Sequence, residues 1–246
     1  MQPLTGRRTS GFTLIELIVV IVILGVLSAA VGGFLKFGAQ IYSETTARDQ
    51  LVSSARFAIE RLNREVRNAL PNSLRLTNAS QCLEFTPILE STTYTDIPVA
   101  PEPTSNTITV IKFDESSSGD WDNWKVIVYP LSVADVYGNT GKVYAVNSIV
   151  STGDEWLITL ENSILFTDES PTKRLYFING TVEYCLLNNT LLRNGVPMAQ
   201  DIYNASPFEI SAVSLQRNAM VQIHFRFEKN SEQVTFNNEI QVLNVP

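Results

Sequence analysis

The chain has 246 residues, with 25 Asp and Glu against 18 Lys and Arg, so its formal net charge is -7. An acidic chain whose head contains no run of basic residues disfavours binding to nucleic-acid phosphates, although a local basic patch can still form in three dimensions, and we expect no nucleic-acid partner. One histidine and two cysteines that form no CxxC pair are too few for a zinc cluster, so neither a metal nor a cofactor is predicted.

An apolar segment, residues 12–35, dominates the N-terminal region. As a helix its 24 residues measure about 36 Å, which exceeds the hydrocarbon core of a bilayer, about 30 Å. Arg7 and Arg8 precede the segment, and the next basic residue is Lys36. The positive-inside rule therefore predicts a membrane-spanning helix with a cytoplasmic N-terminus and the rest of the chain on the far side.

Glu16 is the only acidic residue of this segment. A charged carboxylate in hydrocarbon costs roughly 2 to 4 kcal/mol, so an acid within a membrane span is by default a functional hypothesis. Glu16 therefore needs a partner. The alternative interpretation is an ordinary secretory signal peptide, with a small-residue cleavage site in Leu27-Ser28-Ala29-Ala30, but the length of the apolar segment and its acid disfavour that alternative.

Residues 7–17, RRTSGFTLIEL, resemble the class III leader of type IV prepilins and type II secretion pseudopilins. The resemblance implies that residues 1–11 are a leader, that prepilin peptidase cleaves after Gly11, and that the new N-terminal Phe12 is methylated. It further implies that Glu16 meets the α-amino group of a neighbouring subunit as helices pack into a filament. The implied partners are other major and minor pilins or pseudopilins, the prepilin peptidase and the inner-membrane assembly platform.

The helical pattern continues beyond the apolar segment. Six apolar residues recur at intervals of three or four: Leu51, Ala55, Ile59, Leu62, Val66 and Leu70. This stripe suits packing on a globular head, and Pro71 ends the pattern. Two pairs of opposite charges are spaced four residues apart on the other face, Glu60 with Arg64 and Arg61 with Glu65. We predict one helix over 12–70, with 12–35 in the membrane and 36–70 as an amphipathic stalk.

Gly32 and Gly33 are adjacent glycines within the predicted membrane span. Each weakens a helix by about 1 kcal/mol relative to alanine, so local melting during assembly is one interpretation. Close packing of small residues against other membrane helices is the other, and the sequence favours neither.

Residues 71–246 change to short alternating segments rich in Thr, Val and aromatic residues, which predicts an antiparallel β-rich head. The candidate strands are 81–85, 107–113, 124–129, 142–150, 156–160, 174–178, 181–187, 190–193, 220–227 and 234–243. Asn179-Gly180 and Asn188-Asn189 suit turns with positive φ and predict two hairpins, whereas residues 88–106 predict a long surface loop. The predicted fold class is α+β, a long N-terminal helix packed on a β-rich globular head.

Cys82 and Cys185 lie in separate predicted strands. In an exported head the oxidising compartment favours a disulfide, and closing a loop of about 100 residues stabilises a fold by several kcal/mol in the chain-entropy description. Two buried free thiols are the alternative, because the sequence alone does not place the two strands side by side.

A polar segment at residues 114–124 is a speculative binding loop. It combines four carboxylates with two tryptophans: Asp114, Glu115, Asp120, Asp122, Trp121 and Trp124. Oxygen-rich loops bind calcium and exposed tryptophans bind sugars or proteins, but the spacing lacks the pattern of an EF-hand. A solvated turn is the favoured interpretation of this segment.

The single histidine, His224, falls on the polar face of an alternating strand. Neither a nucleophile motif nor a glycine-rich phosphate loop accompanies it, so we predict no catalytic residue and no enzyme.

The size of the head and the hairpin at residues 181–193 resemble large minor subunits. Similar patterns occur in W-type minor pilins and J-type minor pseudopilins, and the likeness is greatest to the O-type prepilins of the mannose-sensitive haemagglutinin pilus. The resemblance implies a low-copy subunit that initiates or caps a filament, anchored in the bacterial inner membrane with a periplasmic head. Two alternatives are a tip adhesin that binds a surface glycan or polymer and, more remotely, a membrane-anchored periplasmic enzyme.

Overall fold

The structure is a computed structural model and describes residues 11–113, 121, 123–138, 141–211, 219–229 and 232–242. Leader residues 1–10 and the four carboxylates of the binding loop, Asp114, Glu115, Asp120 and Asp122, lie outside the described residues. The chain divides into two compact units, with the boundary between Asp49 and Gln50. Each unit is described separately below.

The helix α1, Leu14–Arg67, has 54 residues and is shorter at both ends than the predicted range 12–70. At its C-terminal end, the backbone N–H of Ala69 donates to the carbonyl of Val66, three residues back, and that of Leu70 donates to Thr86. Leu70 precedes Pro71, and a residue before proline disfavours the helical conformation. The chain therefore leaves the helix before the proline rather than at it.

In the first unit the side chains of residues 11–45 are all exposed. This part of α1 contains an 18-residue window with a mean hydropathy of 3.0 and no buried residue. By length and composition the helix can cross a membrane. Its apolar surface has to be covered by lipid or by other helices, because water solvates it poorly.

In the second unit the stripe on α1 is buried, as predicted. Five of its residues and Ala58 belong to one hydrophobic core: Leu51, Ala55, Ile59, Leu62 and Val66. The sixth, Leu70, is also fully buried, in a smaller cluster with Ile127, Tyr176 and Ile178. Spacing of three and four residues places these side chains on one face of the helix, which explains why the sequence pattern identified them.

The described residues of the head contain fourteen strands and one short helix. In chain order these are β1 Arg75–Thr77, β2 Cys82–Phe85, β3 Glu90–Asp96, β4 Ser105–Ile111, β5 Lys125–Val128, α2 Val133–Tyr137, β6 Val143–Thr152, β7 Glu155–Ile164, β8 Arg174–Ile178, β9 Val182–Leu187, β10 Thr190–Arg193, β11 Val196–Ala199, β12 Phe208–Ser211, β13 Met220–Lys229 and β14 Glu232–Gln241.

Two antiparallel sheets pack in the same core as the α1 stripe. The first has the order β1-β2-β9-β10-β11, and the second has the order β12-β13-β14. Strand β13 alternates strictly, with Val221, Ile223, Phe225 and Phe227 buried and the residues between them facing outward. The inward side chains of both sheets thus complete the core that α1 begins.

The six strands β3 to β8 close into a separate barrel with the order β3-β4-β7-β6-β5-β8. The barrel has its own hydrophobic core, which includes Ile108, Val110, Ile158 and Phe177. It is inserted between β2 and β9, two strands that pair directly with each other. The head is therefore a scaffold of α1 and two sheets with a barrel inserted into the first sheet.

All ten candidate strands are present, but the sequence pattern misses β1, β3, β11, β12 and α2. The predicted surface loop at 88–106 is wrong over Glu90–Asp96, which forms β3. This strand, ESTTYTD, buries only Tyr94 and so shows none of the apolar alternation that identifies a strand.

One of the two predicted hairpins is correct. Asn188 and Asn189 have φ values of 48° and 61°, and they join β9 to β10 as the turn type requires. The hairpin predicted at Asn179-Gly180 is wrong, because β8 pairs with β3 and β5 while β9 pairs with β2 and β10. Neither Asn179 nor Gly180 adopts a positive φ, and the two residues instead connect the barrel to the first sheet.

Candidate assembly site

Thr13 caps the N-terminus of α1. Its Oγ1 accepts a hydrogen bond from the backbone N–H of Glu16 at 3.4 Å, and its carbonyl accepts one from the N–H of Leu17 at 3.2 Å. Thr and Glu three residues apart are the residue types of a capping box, a signal that the sequence carries and that the predicted helix start at residue 12 overlooks. The side chain of Glu16 also lies at the positive end of the helix dipole.

Glu16 presents an exposed carboxylate in the first turn of an apolar helix. Its neighbours Phe12 and Leu14 are 75% and 77% exposed, and Leu17 is 56% exposed. No described residue forms an ion pair or a side-chain hydrogen bond with this carboxylate. The carboxylate is therefore free to pair with a group from outside the chain. The exposed apolar side chains around it need lipid or another apolar surface to cover them.

Gly11 and Phe12 precede the cap and are both exposed. A side chain built at Gly11 meets no atom within 4 Å, so the fold does not require glycine at this position. The predicted processing pair, Gly11 and Phe12, directly precedes the cap residue Thr13 and lies within five positions of Glu16. The three residues that the sequence singled out thus form one exposed segment.

Gly32 and Gly33 lie within continuous helix. A Cβ at either position meets nothing within 4 Å, so packing inside the described chain gives no reason for either glycine. The two interpretations of the pair are a weak point at which the helix melts during assembly and a contact surface for other membrane helices. Both concern assembly with other subunits and not the fold of the single chain.

Glu65 ties α1 to the first sheet. Its carboxylate accepts hydrogen bonds from Arg61 Nε at 2.9 Å, from Arg193 Nε at 2.9 Å and from the Tyr184 hydroxyl at 2.9 Å. The predicted pair of Arg61 with Glu65 therefore forms. The other predicted pair is wrong, because Glu60 and Arg64 form no ion pair with each other in the part of the chain that the structure describes.

Charge and burial at this contact shift three pKa values. Burial of Glu65 acts to raise its pKa, but hydrogen bonds from Arg193, Arg61 and Tyr184 outweigh burial, and the pKa is held below its ordinary value of 4.5. Burial, followed by the hydrogen bond to Glu65, raises the pKa of Tyr184. The hydrogen bond to Glu65 raises the pKa of Arg193. Glu65 is thus ionised at neutral pH, beside a charged Arg193.

Sequence reasoning missed two of the three partners of Glu65. Only Arg61, four residues away on the same helix, is visible as a spacing. Tyr184 and Arg193 lie 119 and 128 positions away, on β9 and β10. A buried polar group that needs a partner is the physical requirement, but no local pattern names that partner.

Cys82 and Cys185 form the predicted disulfide. They are direct partners in the register of β2 and β9, with a Cα–Cα distance of 4.1 Å. Within the described residues the only group of metal-ligand side chains is these two cysteines with Glu183, and the disulfide removes both thiolates from it. The disulfide joins β2 and β9, the two paired strands of the first sheet between which the barrel is inserted.

A second contact that the sequence did not reveal joins the barrel insertion to the first sheet. Arg75 on β1 forms a two-bond pair with Glu84 on β2, at 2.8 and 2.9 Å, and its guanidinium lies 3.9 Å from the ring centroid of Tyr137 on α2. The Tyr137 hydroxyl donates to the carbonyl of Ser73 at 2.8 Å. Burial raises the pKa of Tyr137 to about 12, so the hydroxyl stays protonated as this contact requires.

The two tryptophans of the speculative binding loop are half-buried rather than exposed. The ring of Trp121 packs edge-on to Trp124, with 4.9 Å between centroids, and to Trp156, with 5.4 Å between centroids. Both pack on the barrel core. These two rings therefore pack against aromatic residues at one end of that core.

His224 lies on the outward face of β13 and is half-buried, as strand alternation predicts. Its Nδ1 lies 3.0 Å from the Oδ1 of Asn237, its direct partner on β14. The imidazole therefore takes part in a cross-strand contact on the surface of the second sheet.

The comparisons with known proteins concern the N-terminal segment. A protein-family model described as the prokaryotic N-terminal methylation motif matches residues 6–32. No curated protein and no solved structure matches the chain. The matched segment contains Gly11, Phe12, Glu16 and Gly32, so it covers the exposed site described above.

The motif and the apolar helix α1 together support a type IV pilin-like protein. They favour a structural subunit over an enzyme, and they are consistent with anchoring in the inner membrane. Processing by a prepilin peptidase and assembly with other pilins are what such a motif implies. The head contributes an α+β fold and a disulfide but no match that assigns it to one kind of filament.

Proposed function

We propose that this chain is a minor pilin-like subunit that helps to initiate or cap a type IV pilus or a type II secretion pseudopilus. The observation that carries this proposal is the exposed carboxylate of Glu16, without a partner in the described chain, in the first turn of an exposed apolar helix within the methylation motif. A lone acid at such a place is costly in lipid and becomes useful when a second subunit supplies a cation.

The proposed organisation has three parts. Residues 1–11 are a leader that prepilin peptidase removes after Gly11, and methylation of Phe12 follows. Residues 12–70 contain the membrane and stalk helix α1, and residues 71–246 are the periplasmic head. The charges of Arg7 and Arg8 support a cytoplasmic leader, because basic residues next to a span stay on the cytoplasmic side.

Cleavage creates the cation that Glu16 requires. The new α-amino group of one subunit meets Glu16 of the next, and two unit charges about 4 Å apart attract by roughly 4 kcal/mol at an effective dielectric constant near 20. Desolvation offsets part of this energy, but assembly also removes an uncompensated charge from lipid. The pair therefore favours transfer of the helix from the bilayer into the filament and fixes its axial position.

The size of the head supports a minor rather than a major subunit. Its scaffold of α1 and two sheets is enlarged by a complete six-stranded barrel. We propose other minor and major pilins, the prepilin peptidase and the inner-membrane assembly platform as partners. The resemblance of the head to O-type prepilins of the mannose-sensitive haemagglutinin pilus makes that pilus the first system in which to test the proposal.

The experiment is Glu16→Gln in the full-length chain, expressed in a filament-forming strain that lacks the native copy and any redundant subunit. Glu44→Gln is the matched control, because Glu44 is an exposed acid on the same helix outside the apolar segment. The expected result is a loss of most surface filaments with Glu16→Gln and normal filaments with Glu44→Gln. Normal filament numbers with Glu16→Gln would refute the proposed role.

The separate barrel favours a second candidate function, recognition of a surface glycan or polymer at the filament tip. Its core is distinct from the core that holds α1, so the barrel adds a module that anchoring of the helix does not need. Removing residues 114–122 should reduce attachment and leave filament number unchanged if the barrel end binds a surface. Unchanged attachment, or loss of filaments, would count against this second function.

A further inference from the structure

The face of α1 that points away from the core is fully exposed in the head unit. Six exposed residues form it: Ser53, Arg56, Phe57, Glu60, Arg64 and Arg67. At about 100° per residue, these positions fall within an arc of about 100°, opposite the buried stripe. We call this surface the arginine face.

The arginine face carries charges without ion-pair partners. Within the described residues, Arg56, Arg64 and Arg67 form no ion pair, whereas Arg61, Arg75 and Arg193 are each paired with a glutamate. Phe57 lies among them and is 56% exposed. Arginine and aromatic side chains on one surface are the residue types that dominate binding energy at protein interfaces.

An open cavity lies beside Arg64. Its volume is about 500 Å³, and its lining residues are Arg64, Glu65, Asn68, Pro87 and Arg193. Glu65 already accepts hydrogen bonds from Arg61, Arg193 and Tyr184, so it does not neutralise Arg64 as well. A carboxylate from another molecule would find an unpaired guanidinium at the rim of this cavity, and arginine binds carboxylates through two parallel hydrogen bonds.

The head of the same chain carries the opposite net charge. Residues 71–246 contain 20 Asp and Glu against 10 Lys and Arg, whereas the arginine face has three arginines and one glutamate. A strongly acidic head and a basic helix face on one chain are complementary between copies. Such a contact joins two different surfaces, so it is heterologous and leaves a free surface of each kind on the pair.

We propose that the arginine face is a docking site for the acidic head of a second copy of this chain. The contact rests on the proposed function, because subunits that share a filament bring heads and stalk helices together. It adds to the Glu16 contact a second interaction, in the aqueous compartment, that depends on Arg64 and Phe57. Opposite charges across an interface chiefly set its orientation and its rate of formation.

The test is photo-crosslinking between copies in intact membranes. Two differently tagged full-length copies are expressed together, one with a photoreactive residue in place of Phe57, and the crosslinked peptide is identified by mass spectrometry. The expected product joins position 57 to a peptide from residues 71–246 of the other copy. In the copy that carries the probe, Arg56→Glu with Arg64→Glu should lower the yield about tenfold.

The control is Arg226→Glu, a charge reversal at an exposed arginine on β13, outside the arginine face. It should leave the yield unchanged, and non-reducing electrophoresis should show the Cys82–Cys185 disulfide in every variant as a check of folding. Crosslinking only to lipid, only to another protein or to no partner would overturn the proposal, as would a yield that is insensitive to the double reversal. The N-terminus and filament count of the same sample report separately on the proposed function.

Discussion

Cys82 and Cys185 lie directly opposite each other on paired strands, although 103 positions separate them in the sequence. The whole six-stranded barrel lies between them in the chain. Their disulfide therefore joins the two strands at which the chain enters and leaves the inserted barrel. Strands β2 and β9 stay paired at this point. The first sheet, against which α1 packs, is therefore continuous in space although the barrel interrupts it in the sequence.

Replacing both cysteines with serine should destabilise the full-length protein in detergent by about 4 kcal/mol, because the crosslink restricts a loop of about 100 residues in the unfolded chain. The expected observation is a lower midpoint of denaturant unfolding, followed by tryptophan fluorescence. The single variant Cys82→Ser should show a similar loss. A midpoint equal to that of the native protein would contradict the structural role of the disulfide.

Removing the charge of Glu65 should weaken the attachment of α1 to the head. Glu65→Gln leaves Arg193 and Arg61 without a carboxylate, and we expect a loss of about 1 to 2 kcal/mol in the free energy of unfolding. Glu60→Gln is the matched control, since Glu60 is exposed on the opposite face of the same helix and lacks an ion pair with Arg64. Equal effects of the two variants in denaturant titration would show that the Glu65 contact is not stabilising.

The same contact predicts a dependence on pH. The pKa of Glu65 is lowered in the folded protein, so its stabilising contribution is present in full above the ordinary value of 4.5 and is lost as the pH falls through the lower folded value. Denaturant titrations at a series of acidic pH values should therefore show Glu65→Gln converging on the native protein as the pH falls. A constant difference between the two proteins over this range would contradict the assignment.

Gly32→Ala together with Gly33→Ala should stiffen α1 without affecting the fold of the isolated chain, because a Cβ at either position meets no atom within 4 Å. The helical preference gained is about 1 kcal/mol per residue. We expect unchanged circular dichroism in detergent but fewer surface filaments, since both interpretations of the pair place its role in assembly. Filament numbers equal to those of the native protein would rule out a role for the glycines.

The sequence predicts the parts of this fold that depend on local periodicity. The buried stripe of α1 and the strict alternation of β13 follow from spacings of three to four and of two residues. Contacts between distant segments are a different matter. The pairing of β2 with β9 and the bond between Glu65 and Tyr184 span more than 100 positions, and no local pattern specifies them.

The failures have local causes as well. Strand β3 contains one buried large residue, Tyr94, so it resembles a polar loop. Asn179-Gly180 has the composition of a tight turn, but the chain there passes from the barrel to the first sheet without a positive φ. At the candidate site, Glu16 was identified as the one acid of the apolar segment, whereas Gly11 and Phe12 were identified through the resemblance of residues 7–17 to a class III leader. Thr13 was missed although its spacing from Glu16 marks a cap.

The central claim is that the mature chain begins at Phe12 and that its α-amino group is the cation that Glu16 meets in the filament. The most direct test is mass spectrometry of the N-terminal peptide of the protein purified from membranes. The account predicts a peptide that starts with N-methylated Phe12. A peptide that starts at Met1, or at Val31 as cleavage by a secretory signal peptidase would give, would contradict the account.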